Sequence, residues 1–376
     1  MLKICLLANA ASIHTCRWVA YFLSRNHTVH VISLEPPLEM NPAAQIHVLP
    51  KKWPAKLDYF TSARQVRGLL DQIKPDLLHA HYASGYGTLG RLSRFHPYLL
   101  SVWGADVYEF PRTSFLHRRL IERNLAAADH LCSTSKIMAI ETRKYSDRPI
   151  SITPFGVDCQ KFQTLEGRSR GIPIVIGTVK SLEEKYGIEY LIRGFAQVVK
   201  KLQSFKRLRL VIAGDGSLKS HLQNLAATLG VESLIEFRGH VSHNQIPELL
   251  NSFTVFAALS IRESESFGVA VLEASACGVP VLVSRVGGLN EVVRNDVTGI
   301  IVAPRDVTAI ANAILRLLDD PAVCARLGAA GRAFVLENYE WSENAQRMEN
   351  LYLSVSSGAA TRALGSKGMP AQLLYQ

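Results

Sequence analysis

The chain has 376 residues, 48% hydrophobic and 20% charged, with a formal net charge of +10. That balance excludes a disordered or collagen-like polymer, and the length allows two domains of ordinary size. No apolar run approaches the roughly 18 residues of a membrane-spanning helix, so any membrane contact is expected to be peripheral.

The charge is uneven. Residues 1–160 hold 19 Lys and Arg against 12 Asp and Glu. Such a bias fits an anionic partner, whether lipid headgroups, phosphates or nucleic acid; a solubilising surface charge explains it equally well. The apolar run in the opening MLKICLLANAAS is short and a periodic segment follows, so it reads as a first β-strand rather than a signal peptide.

KICLLANA, HTVHVISLE, DLLHAHY, YLLSVWGAD and HLCSTS are the predicted strands of the first half. Between them, SARQVRGLLDQIK and SFLHRRLIERNLAAA carry apolar residues at helical spacing. An aperiodic run with Pro and Gly, TPFGVDCQKFQTLEGRSRGIP (153–173), reads as a linker. The second half repeats the scheme, with strands IPIVIGTVK, LRLVIAGDG, LIEFRGHV, TVFAALS and VPVLVSRVG. Its predicted helices are IEYLIRGFAQVVKKL, SLKSHLQNLAATLG, FGVAVLEASACG and VTAIANAILRLLDD, followed by a last helix from about Trp341 to Tyr352. Strand–helix alternation, made twice, predicts an α/β chain of two doubly wound parallel-sheet domains. The expected division is 1–160, 161–337, a C-terminal helix over 338–356, and a Ser-, Gly- and Ala-rich flexible tail over 357–376. The six cysteines are scattered without a C-x-x-C pair, which fits free thiols in a reducing cytoplasm better than disulfides or zinc.

Ligands of open parallel sheets bind beyond the carboxyl ends of the strands. Here those ends carry Lys180, Lys185 and Gly187; Gly214-Asp215-Gly216; the run Arg262 to Gly268; and Val286-Gly287-Gly288. Glycines let backbone N–H groups approach a ligand, helix N-termini attract phosphate, and two lysines fit a diphosphate. Within Ser266–Ser284 the only charged residue is Glu273, eight positions after Glu265. A buried carboxylate needs hydrogen-bond partners or a ligand. One acid suits a ribose and the other a sugar, since carboxylates accept hydrogen bonds from paired hydroxyls. A dipole-favoured acid at a helix start explains Glu265 as well, and a protein-satisfied buried acid explains Glu273. No His or third carboxylate lies at metal-ligand spacing beside them, so no metal is expected.

The run from GTVKSLEEKYGIEYLIRGF through VIAGDGSLKSHLQNLAATLG and EFRGHV to IRESESFGVAVLEASACGVPVLVSRVGGLNEVV resembles the nucleotide-sugar half of the retaining glycosyltransferases of family 4. Glu265 and Glu273 match their E-x7-E motif. HAHYASGYG (79–87), SVWGADVY (101–108) and TPFGVD (153–158) resemble the acceptor-side segments and the linker entry more loosely. The resemblance implies a GT-B fold, two Rossmann-like domains facing a cleft, with the last helix crossing back to the N-terminal domain. It implies transfer from a UDP- or GDP-sugar, which is a substrate and not a cofactor, to a glycan or lipid-linked acceptor in surface polysaccharide or lipopolysaccharide synthesis. Glu273 would bond the ribose hydroxyls. Glu265 would hold the transferred sugar, with the N–H groups of Phe267, Gly268 and Val269. Lys180 and Lys185 would neutralise the leaving diphosphate, Gly214 and Asp215 would lie against the donor, and the backbone of Gly239, His240 and Val241 would meet the base. No metal and no nucleic-acid partner is implied, and the expected place is the cytoplasm or the inner membrane face.

The chain departs from that family in three places. Lys180 stands where the family has Arg, which keeps the charge but loses the planar fork. Trp103-Gly104-Ala105-Asp106 replaces a His-Gly-x-Asp pattern, so Trp103 would stack on a sugar where an imidazole is usual. The loop NAASIHTCRW (9–18) replaces a glycine pair, leaving Ser12, His14 and Arg17, together with His81 and Asp106, as acceptor-side candidates. A lone His in a loop is more often structural. Arg91, Arg94, Arg112, Arg118, Arg119 and Arg123, interleaved with aromatic residues, fit an anionic lipid or a pyrophosphate-linked carrier; a solvated helix face fits them too. Two other functions share the strand-end site, a GT-B-fold sugar-nucleotide epimerase and a non-catalytic sugar-nucleotide-binding protein.

Overall fold

The computed structural model describes residues 1–53, 57–165, 173–202 and 208–358. The chain divides into two compact units, Met1–Thr153 with the segment from Asn344 onward, and Pro154–Glu343. Strands of the first unit are β1 (Lys3–Leu7), β2 (Thr28–Ser33), β3 (Gln45–Val48), β4 (Leu77–His81), β5 (Tyr98–Val102), β6 (His130–Ser133) and β7 (Ile150–Ile152). They form one sheet in the order β3-β2-β1-β4-β5-β6-β7, and every ladder is parallel. The second unit has β8 (Ile174–Val179), β9 (Leu208–Ala213), β10 (Ile235–Gly239), β11 (Val255–Ala258), β12 (Val281–Ser284) and β13 (Gly299–Val302). These also pair in parallel, in the order β10-β9-β8-β11-β12-β13.

The central strands are near-continuous apolar runs because helices cover both faces of a parallel sheet. Ile4, Leu6, Leu78, Leu100, Leu210, Val255 and Leu282 are all fully buried. The helix Ile188–Lys201 shows why the intervening segments are helical. Its stripe of Leu191, Ile192, Phe195, Val198 and Val199 is buried, Glu189 lies in the first turn, and Lys200 and Lys201 face the negative end of the helix dipole in the last. Three strands escape the sequence reading, β3, β7 and β13. Each is the edge of a sheet and only three or four residues long.

One expectation is corrected. Residues 13–18 are not a loop: Ile13–Ser24 forms a helix directly after β1, with Trp18, Val19 and Phe22 buried. A further helix, Pro321–Asn338, precedes the last one, which runs Trp341–Ser356. Of the segment read as a linker, residues 154–165 pack on the second unit, where Phe155, Val157 and Phe162 are buried and Val157 bonds Tyr339 and Trp341 through its backbone. Residues 166–172 of that segment, and the tail from 359, lie outside the described residues.

Within the first unit the last helix is held by Glu349 and Tyr352. Glu349 accepts hydrogen bonds from the Tyr21 hydroxyl at 2.8 Å, from His27 Nε2 at 2.9 Å and from Arg25 Nε at 3.2 Å. The Leu2 N–H donates to His27 Nδ1, so Nε2 is the nitrogen that donates to Glu349. Tyr352, one turn on, stacks on Phe22 and bonds His79 Nδ1 at 2.5 Å. Burial alone would raise the Glu349 carboxyl, but the hydrogen bonds from His27 and Tyr21 and the Arg25 charge hold it below the usual glutamate range. A depressed folded-state pKa stabilises the fold above the unfolded pKa and is lost as pH falls through the folded value. Glu349→Gln should therefore cost about 1–3 kcal/mol at pH 7 in urea unfolding. The gap between wild type and variant should close as pH falls below about 4.3.

Candidate active site

Both sheets reverse their winding at one point, between β1 and β4 in the first unit and between β8 and β11 in the second. A crevice opens at the carboxyl ends of such a strand pair because the flanking helices lie on opposite faces. In the second unit Lys180 follows β8 and Glu265 follows β11. Lys180 Nζ lies 3.2 Å from Glu265 Oε1 and 3.0 Å from Oε2. Ser260 Oγ donates to Glu265 Oε2 at 3.2 Å. The same ammonium lies 4.6 Å from the centre of the Tyr186 ring, and Lys185 Nζ lies 4.9 Å from it. Two cations thus share one aromatic ring beside one carboxylate, and Lys185 pairs with no carboxylate among the described residues. Burial pulls the Lys180 ammonium down, but Glu265, Tyr186 and Glu273 outweigh it and hold its pKa above the usual lysine range.

Glycines bring these loops together. Gly187 has φ +64, and a Cβ there would collide with the Leu259 carbonyl oxygen; the adjacent Ile261 N–H donates to Lys185 O at 2.8 Å. Gly214 has φ +138 and lies against the Lys180 carbonyl in the same way. Gly268 is the N-cap of the helix Val269–Ala276, whose first N–H groups have no acceptor within the helix. Phe267 is buried against Phe155 and Tyr339, which anchors this helix start.

Glu273 sits inside that helix, 8% exposed. Its partner is His243, whose Nε2 lies 3.4 Å from Glu273 Oε1, while Lys161 Nζ lies 2.9 Å from His243 Nδ1. Glu273 Oε2 has no partner among the described residues. Asp215 is differently placed. Its carboxylate pairs with Lys219 at 2.9 Å and accepts the His240 N–H at 3.2 Å, and Gly214 N–H donates to Gly239 O at 2.7 Å. Those bonds stitch the ends of β9 and β10 together. His240 and Val241 line a cavity of about 400 Å³ on this side of the sheet. Among the described residues, no three His, Cys, Asp or Glu side chains form a metal-binding group.

The first unit places aromatic rings at its own switch point. The Trp103 indole stands between two imidazoles, 4.6 Å from His81 and 5.9 Å from His14. His81, at the end of β4, is 2% exposed and its Nδ1 has no partner among the described residues. Burial, with a smaller contribution from His14, lowers its pKa to about 3, so the ring stays neutral. Ser12 is the N-cap of the helix Ile13–Ser24, and Arg17 lies one turn after His14 on it. Asp106 is fully buried and accepts the N–H groups of Ala83, Trp103 and Gly104 at 2.7 to 3.3 Å. Burial raises its pKa and those N–H groups oppose the rise. It holds the loop after β4 to the loop after β5.

Residues 3–135 match the family model described as Glycosyl transferase 4-like, and residues 165–334 that of Glycosyl transferases group 1. The first half of the chain is thus glycosyltransferase 4-like and the second half glycosyltransferase group 1-like. An uncharacterised glycosyltransferase of Methanocaldococcus jannaschii is 35% identical over 46% of this chain and 43% of its own. The GDP-mannose-dependent alpha-(1-6)-phosphatidylinositol monomannoside mannosyltransferase of Mycolicibacterium smegmatis is 32% identical over 53% of this chain and 54% of its own. The matches thus span about half the length of these curated relatives. Sucrose-phosphate synthase of Thermosynechococcus elongatus has a similar structure, with a TM-score of 0.83 at 21% identity, over 95% of this chain and 100% of its own. The fold is GT-B.

In the group 1-like half the sequence reading brings Lys180, Lys185, Glu265, Gly268 and Glu273 into one unit's strand-end region, and misses their neighbours. Tyr186, Ser260, His243 and Lys161 complete the cluster. Tyr186 lies between two residues already singled out, but one tyrosine beside a lysine carries no signal of its own. His243 meets Glu273 across 30 positions of sequence, which no local spacing encodes. Gly187→Ala should lower the stability of this unit by roughly 1–3 kcal/mol, because Ala is strained at positive φ and its methyl meets a backbone carbonyl. Urea unfolding followed by tryptophan fluorescence measures that loss.

Proposed function

We propose that the protein is a retaining, metal-independent glycosyltransferase that moves a sugar from a nucleoside-diphosphate sugar to a glycan or lipid-linked acceptor. The observation that carries the reading is the pair of lysines sharing the Tyr186 ring beside Glu265 at the β8/β11 switch point. Departure of a nucleoside diphosphate builds negative charge on its phosphate oxygens. Cations fixed there before the reaction lower the barrier without reorganising, the largest single contribution expected in such a site. Lys185 has no carboxylate partner among the described residues and is the cation left for the phosphates. Lys180 is divided between the diphosphate and Glu265, whose carboxylate it orients. The first N–H groups of the helix Val269–Ala276 add partial positive charge on the same side.

Glu265 keeps lone pairs beyond those taken by Lys180 and Ser260, and these accept hydroxyls of the transferred sugar. Glu273 offers Oε2 to a ribose hydroxyl, with His243 holding the other oxygen. The dependence of the mycobacterial relative on GDP-mannose supports a nucleotide-sugar donor of this kind. No side chain acts as the nucleophile in this scheme. The acceptor oxygen bonds to the anomeric carbon on the face the diphosphate leaves, and the acceptor proton passes to a leaving phosphate oxygen. Surface polysaccharide or lipopolysaccharide synthesis is the process that best suits such an acceptor.

Lys185→Ala should lower kcat more than tenfold in a sugar-nucleotide transfer assay while far-UV circular dichroism stays unchanged. Wild-type turnover should survive EDTA. Unchanged kcat in the variant removes Lys185 from the site, and turnover that EDTA abolishes removes the metal-independent mechanism.

A further inference from the structure

The first unit contains a feature that the donor chemistry leaves unused, a cavity of about 840 Å³. That size falls within the range of about 300–1,000 Å³ typical of small-molecule sites. Tyr59, Tyr82, Thr88, Phe110 and Leu120 form much of its wall. Phe60, Phe115 and Leu116 also line it and remain 44%, 71% and 75% exposed. Single exposed apolar residues need no explanation, but a cluster continuous with an apolar cavity marks a binding surface.

Charge is placed beside this apolar space. Arg119 and Arg123 line the cavity from the helix Phe115–Ala127. Arg119 lies 3.4 Å from Glu122 and 5.7 Å from the centre of the Phe115 ring. Arg123 has no carboxylate partner among the described residues. The cavity is also tied to the strand ends. Tyr82 immediately follows β4 and has φ +82, a conformation that a bulky side chain adopts only when its surroundings compel it. The strained residue is the one that passes from the His81 ring cluster to the cavity wall.

We propose that this cavity binds the hydrocarbon chain of a phosphate-bearing lipid, with the phosphate at Arg119 and Arg123. An apolar chamber with an unneutralised guanidinium at its edge complements an amphiphile that is apolar along its length and anionic at one end. Aromatic and Leu side chains exposed at the mouth suit a ligand drawn from a membrane surface. The proposal rests on the transferase reading only in taking that lipid as the acceptor; the binding itself does not need turnover.

The test is isothermal titration calorimetry of the full chain with n-octyl, n-decyl and n-dodecyl phosphate, each below its critical micelle concentration. Saturable binding should tighten by up to about fifteenfold for each two carbons, since a fully buried CH₂ is worth about fourfold in affinity. The double variant Arg119→Ala with Arg123→Ala should weaken every chain length about tenfold and keep that slope, as expected for loss of charged hydrogen bonds. Leu120→Trp, which fills the cavity, should flatten the slope. Affinity independent of chain length, a slope that survives Leu120→Trp, or binding that occurs only with dimerisation would overturn the assignment. If alkyl phosphates bind in this pattern and no nucleotide sugar is turned over, the transferase reading fails and the cavity assignment stands. If sugar is transferred and alkyl phosphates do not bind, only the cavity assignment fails.

Discussion

The Lys180–Glu265 ion pair closes the end of the second sheet where its winding reverses, and the chemistry of this unit is organised around it. A cation and a carboxylate that are both partly withdrawn from water are each costly alone, and neither is stabilising unless the partner stands in good geometry. Here both Glu265 oxygens lie within 3.2 Å of the ammonium. The pair is not self-sufficient, because Ser260 and the Tyr186 ring complete it. A Lys that remains charged at a sheet's carboxyl end, with a second Lys over the same Tyr186 ring, is the arrangement that the proposed diphosphate site requires. Gly187 and Gly214 exist where they do because only residues without a side chain let the three loops reach that closeness.

The two units use one topology for different chemistry. At its own switch point the first unit places a cluster of rings, with the Trp103 indole 4.6 Å from the neutral His81 imidazole and 5.9 Å from His14. A neutral imidazole and an indole face suit an uncharged, hydroxyl-rich surface better than a phosphate. Two arginines of the basic N-terminal half, Arg119 and Arg123, stand elsewhere in the unit, on the helix Phe115–Ala127 beside an apolar cavity.

Much of this was legible in the sequence, and the rest was hidden for physical reasons. Central parallel strands are buried on both faces, so they appear as apolar runs. The edge strands β3 and β7 are partly exposed and short, and nothing in QIHV or ISI separates them from loop. The helix Ile13–Ser24 was obscured because its first turn carries Ser, His and Thr beside the strand end, and its apolar stripe begins only at Trp18. Glu273 was conspicuous as a lone charge in an apolar run. That His243 would meet one oxygen and leave the other without a partner among the described residues was not, since the pairing depends on how the loop after β10 packs. Asp215 was read as a ligand contact because Gly-Asp-Gly at a strand end looks like one. The structure shows its carboxylate already engaged with Lys219 and the His240 N–H.

The central claim is that Glu273 receives a ribose beside a diphosphate held by Lys180 and Lys185. Titration of the wild-type protein with UDP and GDP, and with the 2′,3′-dideoxy form of each, tests it most directly. The account predicts that the preferred nucleotide loses at least tenfold in affinity when both hydroxyls are removed, as expected when a carboxylate loses its hydrogen-bond donors. Equal affinity for the ribo and dideoxy forms would contradict it.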